Sequence, residues 1–203
     1  MGALFTIWKN TPFVAFLLYT VATISLAIFL ERLANVKRSK ILPSRWVAIK
    51  KAVAEGRIDE ALLLLQKDKR ETSKVLFNLL HLYAKREITK AEFLQMLNNQ
   101  LELIYAKLTR GVSFLAISVT LATLLGLIGT VIGLIDIFAT FAGESSEAIK
   151  LLSKGISTAL NSTAAGLIVA IFDYILYWIV RERVSSVFTK VAAELNELAE
   201  YLK

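Results

Sequence analysis

At 203 residues, with 56% hydrophobic side chains and a mean hydropathy of +0.58, the chain is too apolar for an ordinary soluble domain of its size. It has no cysteine and one histidine, His81, which excludes disulfides, thiol catalysis, thiolate metal sites and multi-histidine metal clusters. The net charge of +7 fits either nucleic-acid contact or the basic cytoplasmic bias of membrane proteins; no nucleic-acid module accompanies it, so the membrane bias suffices and no nucleic-acid partner is expected.

In chain order, residues 1–11 are an external or interfacial segment whose Leu4, Phe5, Ile7 and Trp8 suit the bilayer surface. They lack the basic start and small-residue cleavage site of a secretory signal. Residues 12–31 form a first spanning helix, with Pro12 in its first turn, where a missing N–H costs nothing, and the charged pair Glu31 and Arg32 expected to stop it. Residues 32–111 then read as a cytoplasmic helical domain. Its stretch 32–110 carries 17 Lys/Arg against 8 Asp/Glu, a net +9. Helices are predicted at 44–55, 59–67, 71–86 and from 89 onward. Ser44 and Thr89 are candidate N-caps, and Thr89 has Glu92 three residues on, a capping-box spacing. Leu94, Leu97, Leu101, Ile104 and Leu108 recur at helical spacing up to Gly111, which predicts one very long helix running into the next span.

Residues 112–142 form the second spanning helix. At ~100° per residue, Ala122, Gly126, Gly129 and Gly133 lie within roughly 60° of one another, with Thr123 and Thr130 alongside. Residues 143–154 balance Glu144 and Glu147 with Lys150 and Lys154, as an external loop can. Residues 155–180 form the third span. Ala159, Ser162, Thr163, Gly166, Ala170, Asp173 and Tyr177 share one face of ~100°, opposite Leu160, Leu167, Ile171 and Ile175. Such small-residue faces let membrane helices approach closely. They are expected to bury between subunits of a closed ring or against a central partner. Residues 181–203 are a cytoplasmic amphipathic helix with Val184, Val187, Val191, Leu195 and Leu198 on one side. The fold class is thus an all-α integral membrane protein with three transmembrane helices, long helices extending into a cytoplasmic domain, and ring-forming subunits. The basic middle segment puts that domain inside and the N-terminus outside.

Counting ~1.5 Å per residue from the outer helix ends puts Thr130 ~15 Å deep and Thr163 ~12 Å deep, two hydroxyls at one level. On the same count Asp136 lies ~6 Å below the outer end and Asp173 ~27 Å down. Asp136 is either a pathway group or a solvated acid at the outer mouth. Asp173 either faces a central cavity near its cytoplasmic mouth or pairs with Arg181 or Arg183 at the inner rim.

The block TLATLLGLIGTVIGLIDIF, followed by KGISTALNSTAAGLIVAIFDYILYW, resembles the two signature helices of the MotA/TolQ/ExbB proton-channel family, nearest to the ExbB/TolQ branch. ILERL, GRIDEALLLL and SKVLFNLL extend the resemblance over nearly the whole chain. It implies a bacterial cytoplasmic-membrane protein of three spans, a homo-oligomer of five subunits, and an ExbD/TolR-like single-span partner dimer on the ring axis carrying an ion-binding Asp. The family's polar pore residues correspond to Thr130 and Thr163. Three positions depart from the family pattern: Thr123 replaces Pro, Thr158 replaces Glu, and VAIF replaces VAIP with Asp173 next in line.

These observations frame the functional alternatives. The first is an ion-driven stator or energy-transducing channel subunit with Thr130, Thr163, Ser162, Asp173 and Asp136 along the ion pathway. There Ala122, Gly126, Gly129, Gly133, Ala159, Gly166 and Ala170 would pack helices or line the pore. The second is a structural scaffold whose small faces serve packing alone. An intramembrane enzyme would need a nucleophile–base or metal constellation that the sequence does not offer. No cofactor is expected, and membrane lipids are the remaining contact.

Overall fold

The computed structural model describes residues 12–140 and 146–202, and all their regular structure is helical. In chain order the helices are α1 (Pro12–Asn35), α2 (Arg38–Ile41), α3 (Trp46–Ala54), α4 (Ile58–Gln66), α5 (Glu71–Ala84), α6 (Lys90–Thr109), α7 (Val112–Thr140) and α8 (Ser146–Glu200). Three stretches, in α1, α7 and α8, are long and apolar enough to cross a membrane. The expected interfacial segment at 1–11 and the start of the expected loop at 143 lie outside the described residues.

Two compact units divide the chain. One takes the chain up to Leu30 together with Gly111–Val180, and the other takes Glu31–Arg110 and the segment from Arg181 on. In the first, the buried contact is made by small and medium side chains: Val14, Ala15 and Leu18 of α1, Ala122 of α7, Ala165 and Ala170 of α8. Many of its large apolar residues face outward, among them Leu127, Ile135 and Phe138 on α7 and Leu160, Leu167 and Ile171 on α8. That inversion of the soluble pattern is what a lipid solvent permits, because lipid tails are as apolar as leucine.

The second unit is an ordinary amphipathic helical domain. Ile49 and Val53 of α3, Leu65 of α4, Leu76 and Leu80 of α5, and Phe93, Leu97 and Leu101 of α6 are buried around one core. The end of α8 completes it with Val191, Leu195 and Leu198, and Leu202 follows just after the helix. Each such side chain contributes roughly 1.5–3 kcal/mol by leaving water. Lys50 pairs with Glu197 at 2.6 Å, and Lys90 Nζ donates to the carbonyls of Leu202 (2.7 Å) and Glu200 (3.0 Å), fastening the last turn. Thr89 caps α6 as predicted. Its Oγ1 accepts from Glu92 N, while its own N–H donates to Glu92 Oε2 at 2.7 Å.

Four boundaries differ from the sequence expectation. α1 runs past Glu31 and Arg32 to Asn35, because charge ends a hydrophobic span without ending a helix; Asn35 Nδ2 donates to Glu31 Oε1 one turn back (2.9 Å). Ser44 does not cap α3. Arg45 occupies that position, and Ser44 instead donates through its backbone N (2.5 Å) and Oγ (2.9 Å) to the Asp68 carboxylate. The single long helix expected across Gly111 is two helices, since Gly111 sits at φ +89°, a left-handed conformation that glycine adopts at no steric cost. Conversely, α8 is one helix of 55 residues where a loop, a span and a separate tail helix were expected. Arg181, Glu182 and Arg183 are adequate helix formers, and no proline interrupts them.

Candidate functional site

The centre of the first unit is a seam where α7 and α8 run antiparallel with their backbones in contact. A Cβ placed on Gly166 would lie 2.6 Å from Gly126 Cα and 2.7 Å from the Ala122 carbonyl oxygen. One placed on Gly129 would meet Ser162 Cβ at 2.6 Å, and one on Gly133 would meet Ala159 Cβ at 3.2 Å. Ile137 reaches the same way over Gly155. Glycine and alanine recurring every three to four residues on both helices make this approach possible.

The small faces read from the sequence are therefore real, but they face each other within one chain. Ala122, Gly126, Gly129, Gly133, Ala159, Gly166 and Ala170 all lie in this contact or in the buried cluster around it. The expectation that they bury between subunits or against a partner is corrected accordingly. The physical reason is proximity: consecutive helices with matched small strips close on one another first.

Along one edge of the seam lie the two threonines. Thr163 Oγ1 is 3.4 Å from Thr130 Oγ1 and 3.4 Å from the Gly126 carbonyl oxygen, while Thr130 Oγ1 donates to the Leu127 carbonyl at 2.5 Å. Both side chains are half-buried. The structure thus brings together the two hydroxyls that depth counting set at one level. Their oxygens can ligate a water or a partly dehydrated cation, but they do not exchange protons at neutral pH.

The other three candidates lie elsewhere. Ser162 is fully buried against Gly129, where it fills the seam rather than lining an accessible path. Asp136 is exposed, about 9 Å along α7 from Thr130 at 1.5 Å per residue. Asp173 is fully buried at the opposite end of the seam. Ser25 of α1 donates to its Oδ2 at 3.0 Å, and Ser118 of α7 lies beside the carboxyl. Neither placement expected for Asp173 holds. It keeps to the predicted face of α8, but that face is covered by α1 and α7, and Arg183 donates instead to the Val36 carbonyl (3.1 Å).

Ser25 and Ser118 were missed from the sequence. The available signal was a hydroxyl in each of the other two spans at the depth of the buried acid. Among the described residues no group of His, Cys, Asp and Glu is arranged to hold a metal ion.

The fold and this seam define a polytopic helical membrane protein whose spans are joined through glycines and edged by paired hydroxyls. Residues 65–193 match the model of the MotA/TolQ/ExbB proton channel family, and the chain belongs to that family. It is also similar to a protein of Synechocystis sp. named as an ExbB-like biopolymer transport protein, with 40% identity over 98 residues. That match takes in 46% of this chain and 38% of the relative, so the chain spans well under half of the relative's length.

Proposed function

We propose that the chain is a ring-forming subunit of a proton-conducting stator, coupled through an ExbD/TolR-like single-span partner dimer to mechanical work in the bacterial envelope. Five copies in the cytoplasmic membrane, with the N-terminus outside and the basic domain inside, would enclose the partner helices. The partner's Asp would cross the apolar collar in its neutral form and be stabilised by water held at Thr130 and Thr163. Each charge moved releases ~2.3 kcal/mol per 100 mV. Asp136 serves as a polar group at the outer mouth, and Ser162 is assigned to packing.

The observation that carries this reading is the facing pair of threonine hydroxyls, in the two motifs where the family has its polar pore residues. A scaffold reading draws on the seam, whose close glycine contacts need no ion flow to explain them. Thr130→Val and Thr163→Val separate the two, because valine keeps the shape and removes the hydroxyl. Reconstituted with the partner in liposomes, each variant should assemble normally and lose most of its partner-dependent proton flux. Full flux in both variants would leave the scaffold reading standing.

A further inference from the structure

Asp173 is an acid inside a membrane helix, with no solvent exposure, at a point about 15 Å along α8 from Thr163 at 1.5 Å per residue. Ser25 faces it from α1 and Ser118 from α7, Tyr177 follows one turn later on α8, and among the described residues no charged side chain acts on it. An ionised carboxylate in such a place would carry an uncompensated charge in an apolar seam, which costs far more than keeping the acid neutral.

The hydrogen bonds point the same way. Ser25 Oγ, itself fully buried, supplies its proton to Asp173 Oδ2. Ser118 Oγ, also fully buried, gives its proton to the Leu115 carbonyl at 2.8 Å. Asp173 Oδ1, by contrast, has no hydrogen-bond partner among the described residues. A fully buried carboxyl with one serine donor on Oδ2 and none on Oδ1 lacks the donors that hold a carboxylate ionised.

We propose that Asp173 is a proton-binding site within each subunit. Its carboxylic acid carries the proton on the unpartnered Oδ1, while Oδ2 accepts from Ser25. The bound proton makes the acid a neutral clamp that joins α1 to the α7–α8 pair. This site is separate from the threonine pair and does not depend on the channel reading. A proton suits it better than a sodium ion, because Ser25 and the carboxyl are already in direct hydrogen-bond contact.

Infrared difference spectroscopy of the full-length protein in lipid, at neutral pH, tests the site. The carbonyl stretch of a protonated carboxylic acid should be present, lost in Asp173→Asn and retained in Asp136→Asn. Asparagine can keep both serine contacts, so Asp173→Asn should retain the wild-type thermal midpoint. Should that variant fail to fold, Ser25→Ala gives an independent reading, since removing one donor to the carbonyl should shift the band to higher frequency. Absence of the band, its survival in Asp173→Asn, or no shift in Ser25→Ala overturns the proposal. So does a band that appears only when sodium is withdrawn, which would make the resident ion sodium.

Discussion

Gly166→Ala probes the closest approach to backbone atoms among the described glycines. The added Cβ would lie 2.6 Å from Gly126 Cα, 2.7 Å from the Ala122 carbonyl oxygen and 3.0 Å from Gly126 N, all backbone atoms that no rotamer change can move. Ordinary contact begins at 3.4 Å, so the two helices must separate by roughly 0.8 Å. A gap of that size forfeits about a quarter to a half of the dispersion energy of each contact along the seam. It also stretches the Thr163–Thr130 contact, already at 3.4 Å, beyond hydrogen-bond range. Overpacking of this kind costs about 1–3 kcal/mol, set against up to ~1 kcal/mol gained from the better helix propensity of alanine. Gly133→Ala is the control. Its Cβ would meet Ala159 Cβ at 3.2 Å and needs a shift of only a few tenths of an ångström, so propensity should offset the cost. Unfolding in mixed detergent micelles, followed by circular dichroism, should rank Gly166→Ala clearly below wild type and Gly133→Ala near it. Equal stability of the two variants, or a greater loss at Gly133, would refute the seam as described.

The basic unit offers two further tests. Asp68 is pushed up by desolvation but pulled below the ordinary carboxylate range by donors from Ser44 N, Arg70 N and Ser44 Oγ. A depressed acid stabilises the fold above its unfolded pKa of about 4, and that contribution is lost as pH falls through the folded value. Asp68→Asn should therefore have a lower thermal midpoint than wild type at pH 7 and converge with it toward pH 3; parallel pH profiles would remove Asp68 as the staple between the turns before α3 and α5. Thr89→Ala should cost about 1 kcal/mol through loss of the α6 cap, read by denaturant titration, whereas Ser44→Ala removes no cap from α3, whose N-terminal residue Arg45 makes no side-chain cap bond.

Hydropathy located all three spans because lipid imposes a length and an apolarity that short windows detect. The capping box at Thr89 was legible because both partners lie within four residues. The family was legible from two motifs about thirty residues apart, and a shared depth set Thr130 and Thr163 at one level, where their hydroxyls lie 3.4 Å apart. What failed was the assignment of faces to neighbours. A helical wheel says that Gly126, Gly129 and Gly133 share a side, but not whether a sister helix, another subunit or a partner covers it. Asp173 failed in the same way: its face was right, and the serines that answer it come from spans 148 and 55 positions away in sequence. The break at Gly111 and the continuity through Arg181 turn on local dihedral choices. Periodicity alone weights a glycine too lightly and a change of solvent too heavily.

The core of the basic unit draws Ile49, Leu80 and Leu97 from the middle of the chain and Val191, Leu195 and Leu198 from near its end. Order of synthesis therefore matters. When Arg110 leaves the ribosome, helices α3 to α6 still lack one wall, and the ninety or so residues that follow include two membrane spans. At ~5–20 residues per second this wait lasts roughly 5–20 s, far longer than helix formation or collapse. For that time the nascent domain presents an open apolar groove, the state in which chaperones and proteases act. Completion of the basic unit thus waits on synthesis of both later spans, and a chain stalled before the end of α8 leaves that groove uncovered.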